Sequence, residues 1–504
     1  MPDDPVLTEQ LSTGHAFLNP ARLLLLFVLA AIVLTLWQVV PLIRIPYEID
    51  YGEGLMLDGA LRIWHSQPLY PDPYAFPIVL HDWGPLAYAI TAAALPGGAV
   101  SFPAGRWMVF VCTVLLAILV GVILRKWFSS APVALSFGLL LLTLPALRFW
   151  LYLLRVDVVG TVFLVIGILL YVRKESRWYW SALFFVLAIF CKYTLIAAPG
   201  TVFLDLLLKR RMRQALAFAL LMASGAALGF SIVERTTGGW FAFHMFSTHS
   251  DRYSPAQFFA LAGLVWVSAP VVTALALWYV VQSLRSGKPH FAALYFIVSA
   301  VTSLSAGKLG SATNHFLEWM IASCLCAALA YAAVLTKYPA RAMPVTVLLG
   351  ISVFVAVIAQ SRPSSKPLSG LTDCRDAYEY VSNSPSSRVL SETLGPTLMA
   401  GKPVQISDPF IYGQLVRHGL WPDRRMEDML NARYFGLIVL SADPSGMKQH
   451  GSDVWPDGLI QAMDRNYRVS RRFACRNAAV MIEPVPTQGG PTPGNSTRGP
   501  GTVR

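Results

Sequence analysis

YEIDYGEGLMLDGALRIWHSQPLYPDPYAFPIVLHDW, residues 47–83, holds six carboxylates (Glu48, Asp50, Glu53, Asp58, Asp72 and Asp82) against one arginine, Arg62, in a chain whose net charge is +12. Apolar sequence lies on both sides of it. Acids beside long apolar segments are costly unless they face water or a polar site, so this loop is where the chemistry is expected. From Gly54 to Ser66 the apolar residues Leu57, Leu61 and Trp64 recur at helical spacing, and Asp58 can pair with Arg62 at i, i+4. A second surface helix is expected to begin at Gly84-Pro85, and the prolines at 68, 71, 73 and 77 mark an ordered connector between the two.

Outward from the loop the chain is apolar. Of 504 residues, 55% are hydrophobic and only 13% charged, with a mean hydropathy of +0.53. That composition belongs to a polytopic α-helical membrane protein. About eleven runs have spanning character: 20–43, 107–124, 131–149, 158–172, 178–191, 194–208, 214–233, 257–283, 289–305, 316–336 and 342–360. The first is too long for a signal-peptide core and has no small-residue cleavage site before Arg44, so it stays as a helix.

With residues 1–19 as a cytoplasmic tail, the basic clusters at 125–126, 173–177, 209–213, 285–288 and 337–341 all fall inside. The same placement accounts for the basic excess and removes nucleic acid as a partner. Residues 44–106 then form an external loop. Gly84 to Leu95 is apolar but only a dozen residues long, and it is expected to lie at the interface within that loop.

After the transmembrane domain, 20–360, the sequence turns polar. Residues 361–485 predict a small external α/β domain, with strands near Arg388–Glu392, Phe435–Ser441, Tyr467–Phe473 and Ala478–Ile482 and helices at Arg375–Val381 and Leu459–Asn466. Residues 486–504 are rich in Pro, Gly, Thr and Ser and predict a disordered tail. Cys112, Cys191, Cys324 and Cys326 sit in apolar helices as small buried residues. Cys374 and Cys475 stand apart in the polar region, and an oxidising compartment predicts a disulfide between them.

Three constellations carry candidate chemistry. Asp50 and Glu53, within DYGEG, lie just past the first helix, where a carboxylate can act as general base and two can hold a divalent cation. Arg155 and Asp157, within LLRVDVVG, sit at the external end of the third and fourth apolar runs and either pair with each other or face the first acids. Lys192, Arg252 and Lys308 are cations on the outer side, against the local charge trend, and phosphate recognition is a physical reason for them; snorkelling to the headgroups is the competing one. His81 and Asp82 close the acidic loop, and His244 shares a loop with Trp240 and Tyr253 that suits sugar or headgroup contacts or an interfacial aromatic belt. No histidine pair has the spacing of a zinc hydrolase.

DYGEG, GALRIWHSQPLY, HDWGPLAY, RVD and CKYTLIAAP, in this order over residues 20 to 320, resemble the membrane glycosyltransferases of the GT-C class. The likeness is to the branch of aminoarabinose transferases and RgtA-like sugar transferases, related to glycosyltransferase family 39 and the protein O-mannosyltransferases. The resemblance implies a polyprenyl-phosphate-linked sugar donor, transfer on the external face, and an envelope lipid, polysaccharide or protein as acceptor. It implies an acid of the first loop as base or metal-associated acid, taken by Asp50 or Glu53, a second acidic site at Asp157 and a basic position at Lys192. A divalent cation, Mg or Mn, would be held by Asp50, Glu53 and Asp157. The class commonly has two adjacent acids at the first site, whereas here Gly52 precedes Glu53 and Asp50 lies three residues back, which leaves the identity of the base open. A flippase for a polyprenyl-linked glycan and a non-catalytic envelope assembly protein are the alternatives. The first would show repeated halves and broken midplane helices, and the second leaves the acidic loop and the outer cations unexplained.

Overall fold

The computed structural model describes residues 19–173, 177–249, 252–359, 374–421, 424–475 and 478–486. Residues 1–18 and 487–504, the bulk of both expected tails, lie outside that range. Helix α1 (Pro20–Ile43) starts on an Asn19 cap with Pro20 at its first position, an arrangement that satisfies one end donor and needs no other at the proline. Two helices of the acidic loop follow, α2 (Tyr51–Trp64) and α3 (Pro85–Ala94), and then the long α4 (Phe102–Trp127), which carries Arg125 and Lys126 in its last turn.

The expected eleven spans resolve into a smaller set of full-length helices and several shorter pieces. Among the described residues six helices are long and apolar enough to cross a membrane: α1, α4, α7 (Val156–Arg173), α10 (Met212–Thr236), the run Thr313–Lys337 and α16 (Pro339–Ala359). The pair α12 (Pro255–Ser268) and α13 (Pro270–Arg285), bent by 99°, makes up to seven. The bend falls at Ala269, immediately before Pro270, where a proline removes a helix donor and disfavours helical geometry in the residue ahead of it. The run 131–149 breaks for the same reason: α5 (Ala131–Leu140) ends, and Leu144, extended at ψ 119°, precedes Pro145 of α6 (Pro145–Arg148). Shorter apolar helices α8 (Trp178–Cys191), α9 (Ala197–Leu208) and α14 (Phe291–Thr302) fill the bundle, and a short α11 (Phe241–Phe246) follows α10.

The chain is a multi-pass membrane protein in which α4 packs on α5 and α7, α7 on α8, α1 on α16, and α13 on α15 (Leu317–Lys337). Gly138 makes one of these contacts possible, because a Cβ there would meet the Ala117 carbonyl of α4 at 2.6 Å. Small residues at such crossings let helices approach where lipid offers no hydrophobic drive.

The C-terminal region contains a four-stranded sheet in the order β1-β2-β4-β3, from β1 (Val389–Ser391), β2 (Leu437–Leu440), β3 (Tyr467–Arg472) and β4 (Val480–Pro484). The β1–β2 pair is parallel and the others antiparallel. Cys374 and Cys475 are joined in a disulfide with Cα atoms 4.7 Å apart. The acidic loop is built into this region: Ile78 pairs in parallel with Ile406, its N–H donates to the Gln405 carbonyl at 2.9 Å and its carbonyl accepts from Ser407 N–H at 3.0 Å. Ile78 and Leu80 are part of the same apolar core as Leu390, Trp455 and Ile482. Glu48 adds a polar tie, accepting from Gly54 N–H at 3.1 Å and from Gly395 N–H at 2.6 Å.

Candidate active site

Helix α2 begins three residues before the expected Gly54, and the cause is chemical. Asp50 is its N-cap and Glu53 completes a capping box: Asp50 Oδ1 accepts from Gly52 N–H at 3.1 Å, and Glu53 Oε2 accepts from the N–H groups of Ile49 and Asp50 at 2.8 and 3.4 Å. Glu53 is then closed off. Arg106 of α4 donates to Oε1 at 2.7 Å and to Oε2 at 2.6 Å, and Leu154 N–H donates to Oε1 at 3.0 Å. Arg106 Nη1 donates to the Ile45 carbonyl, and Nη2 donates also to the Tyr47 carbonyl. With no exposed surface on either side chain, this pair fastens the loop, α4 and the approach to α7 together, and Glu53 is absent from the walls of the two clefts described below.

Leu154 is followed by Arg155, whose guanidinium lies 4.7 Å from the centre of the Trp83 ring and 5.5 Å from that of Trp150. Its Nη1 donates to Asp50 Oδ1 at 3.1 Å, and its Nε is 3.9 Å from Asp157 Oδ2. Gly52 permits this, because any Cβ there would overlap the guanidinium. The glycine that separates the acids in the sequence is therefore the seat of the arginine that joins Asp50 to Asp157. Asp157 Oδ1 accepts from Lys192 Nζ and from Asn314 Nδ2, the latter at 2.9 Å. Lys192 is positioned by the end of α8, where Gly84 N–H donates to the Cys191 carbonyl at 3.2 Å and a Cβ on Gly84 would strike the Phe190 carbonyl.

These groups surround a cleft of about 110 Å³ whose walls include Asp82, Arg155, Asp157, Lys192, Lys308 and Asn314. Asp157 Oδ2, Arg155 Nε and Asn314 Oδ1 are buried there without a hydrogen-bond partner among the described residues. Buried polar atoms left unpaired at a cleft mark where a ligand's polar groups would be accepted. Lys308 is presented by the stretch Ser303–Phe316, which the Gln257 amide holds through the carbonyls of Ala306, Lys308 and Ser311 at 3.2, 2.6 and 3.3 Å. A wider cleft of about 520 Å³ adjoins the first, sharing Tyr51, Gly310 and Phe410, and Asp50 lines this second space.

The structure brings together Asp50, Asp82, Arg155, Asp157, Lys192 and Lys308 at these two clefts. It leaves His81, His244 and Arg252 off them. Fully buried His81 faces Asp58 Oδ2 at 3.0 Å through Nε2 and the Leu69 carbonyl at 2.9 Å through Nδ1, and its backbone N–H donates to His244 Nδ1 at 3.2 Å. His244 Nε2 in turn meets the Pro71 carbonyl at 2.9 Å. Burial holds the His244 imidazole down at about 4, so it stays neutral. Burial raises the Asp58 carboxyl, but the hydrogen bond from His81 and the charge of Arg62 outweigh it and keep the group below the usual carboxylate range. These histidines brace the loop. Arg252 is exposed, and only its backbone reaches the site, accepting from Leu309 N–H at 2.9 Å.

Sequence reasoning missed Asn314 and Asp408. Asn314 has no signal apart from GSATNH lying beside Lys308. Asp408 caps the helix Pro409–Arg417, accepting from Ile411 N–H at 2.9 Å, and burial together with the nearby charge of Asp82 pushes its carboxyl up to about 8. The D-P-x-I start of a helix was the available clue.

As arranged, Asp50, Glu53 and Asp157 do not form a cation site. Arg155 occupies the space between Asp50 and Asp157, and Glu53 is spent on Arg106. Among the described residues no cluster of three or more His, Cys, Asp or Glu side chains is placed to hold a metal.

No protein-family model and no curated sequence matches the chain. Solved structures do. ArnT from Cupriavidus metallidurans in the apo state aligns with a TM-score of 0.63 and 14% identity over 93% of this chain and 98% of that one. The same protein bound to undecaprenyl phosphate gives 0.61 and 13% over 93% and 99%. The oligosaccharyltransferase of Archaeoglobus fulgidus, solved also with zinc and sulfate and with a tethered acceptor peptide, gives 0.54 and 12% over 88% and 73% in its apo form. The chain thus has the fold of the GT-C membrane glycosyltransferases.

Proposed function

We propose that the chain is a glycosyltransferase that moves a hexosyl or pentosyl group from a polyprenyl-phosphate-linked donor to an envelope acceptor on the external face of the inner membrane. The observation that carries this reading is the convergence of Arg155, Lys192 and Lys308 on one small cleft beside three carboxylates, Asp50, Asp82 and Asp157, in a chain with this fold. Three cations at a cleft of that size suit a phosphate, and guanidinium and ammonium contacts to phosphate oxygens are among the stronger hydrogen bonds available. The basic clusters at the opposite helix ends support a cytoplasmic N-terminus and an external site.

In the reaction the bond from the sugar C1 to the phosphate oxygen breaks, its electron pair leaves with the polyprenyl phosphate, and Arg155, Lys192 and Lys308 stabilise that charge. The acceptor oxygen forms a bond to C1 from the opposite face, with inversion, and its proton passes to a carboxylate. Asp50 is the better base. Its side chain is 23% exposed, against 2% for Asp157 and 0% for Glu53. Asp157 holds Lys192 and presents Oδ2, which accepts no hydrogen bond among the described residues, to a donor hydroxyl.

The test is the lipid-linked pool of a strain lacking the protein. Accumulation of a polyprenyl-phosphate sugar is expected and would name the donor, whereas an unaltered pool overturns the reading.

A further inference from the structure

The two adjoining clefts differ in charge, and the difference bears on the acceptor. Arg155, Lys192 and Lys308 line the smaller one with Asp82 and Asp157, three cations against two acids. The wider cleft, about 520 Å³, has two charged residues among its described walls, and both are acids: Asp50 and Glu392. Its volume lies within the range of roughly 300 to 1,000 Å³ common for ligand sites.

Glu392 belongs to the C-terminal region and is held in place. Its carboxylate accepts from Ser441 Oγ at 2.6 Å, Ser441 N–H at 3.1 Å and Trp455 Nε1 at 3.4 Å. A carboxylate with two oxygens retains acceptor capacity beyond those three bonds. Aromatic side chains supply the apolar part of the wall: Tyr51 is 39% exposed, Phe149 36%, and Phe410 is half-buried. Exposed rings together with fixed oxygen acceptors suit a molecule with apolar C–H faces and many O–H or N–H donors. Arg155, outside this wall, offsets Asp50 at 3.1 Å, but an anionic group placed there would meet the Glu392 carboxylate with no cation in the wall, and such like-charge contact is unfavourable.

Resting on the donor assignment above, we infer that the wider cleft is the acceptor site and that the acceptor segment it takes is a neutral or amino-bearing glycan, not a phosphorylated or uronate-bearing one. Tyr51, Gly310 and Phe410, common to both clefts, mark where the acceptor oxygen meets the donor C1 beside Asp50.

Saturation-transfer NMR on the full chain in nanodiscs tests this with three trisaccharides: neutral mannotriose, cationic chitosan trimer and anionic trigalacturonate. Mannotriose and the chitosan trimer are expected to bind, and trigalacturonate at least tenfold more weakly. Glu392→Gln should reduce the preference for the amino sugar, and Glu392→Arg should reverse the order of chitosan trimer and trigalacturonate. Equal or tighter binding of trigalacturonate by the wild type, absence of binding by all three, or indifference to both substitutions overturns the inference. Undecaprenyl phosphate binding on the same samples separates the two levels. If wild type and both variants bind it while the trisaccharide pattern fails, only the acceptor assignment falls; if the wild type does not bind it, the donor reading falls first.

Discussion

Glu53 and Arg106 form an ion pair closed to water on every side, with Arg106 Nη2 2.6 Å from Glu53 Oε2 and no exposed surface on either side chain. Removing one member of such a pair strands the other charge, which costs about 3 to 5 kcal/mol. Glu53→Gln is therefore expected to lower the thermal midpoint and the yield of folded protein along with activity. A Glu53→Gln protein with wild-type thermal stability and no activity would instead return Glu53 to the chemistry.

Asp50→Asn should behave in the opposite way. Asparagine caps a helix about as well as aspartate, and Asp157 stays beside Arg155 when the Asp50 charge is lost, so α2 persists and the thermal midpoint falls less than in Glu53→Gln. Loss of a general base lowers turnover by about 10² to 10⁴. Turnover within a few-fold of wild type would remove Asp50 as the base.

The cleft lysines can be told apart. Lys308 is half-buried on a stretch held by its backbone, so Lys308→Ala should weaken donor use with little change in stability. A hydrogen bond to a charged group is worth about 1.5 to 3 kcal/mol, or roughly 10- to 100-fold in the donor Michaelis constant. Lys192→Ala should do the same and also destabilise, because Asp157 loses its counter-charge. An unchanged donor constant in both variants would detach these lysines from phosphate.

Asp408 gives a pH signature. Its carboxyl stands at about 8 in the folded chain, well above the unfolded value, so between these limits the folded state binds the extra proton. Stability should then fall as pH rises from about 5 to 8, with the sign set by that excess of bound protons in the native state. Asp408→Asn keeps the cap to Ile411 while deleting the titration, and should flatten this part of the stability profile. The measurement is the thermal midpoint against pH for both proteins, and an unaltered slope would refute the assignment.

The Cys374–Cys475 bridge closes a separation of 101 residues. Cys475→Ser is expected to cost about 2 to 5 kcal/mol in the C-terminal region. Peptide mapping without reduction should recover the linked pair, and alkylation of both thiols before reduction would contradict it.

The apolar runs, the acidic loop and the cations of the cleft could be read from the sequence because each is a local signal: hydropathy, charge, and charge against trend. Strand positions were legible too, with β3 found where a strand near Tyr467–Phe473 was expected. What the sequence concealed was distance. Asp50 and Glu53 look equivalent in DYGEG, and only Arg106, 53 residues on, separates their roles. His81 and His244 look like outward-facing contacts until the Asp58 carboxylate and the Pro71 carbonyl claim them. The expected runs 131–149 and 257–283 are broken at Pro145 and Pro270, where apolar composition continues through a break in the backbone.

The pairing of Ile78 with Ile406 sets an order of assembly. The acidic loop leaves the ribosome more than three hundred residues before the segment that completes it, and during that interval its two edges have no partner from the C-terminal region. A chain truncated after α16 would carry Asp50, Arg155, Asp157, Lys192 and Lys308, yet lack Phe410, Glu392 and the segment around Ile406 with which the loop pairs. Both clefts are thus completed only by the last quarter of the polypeptide.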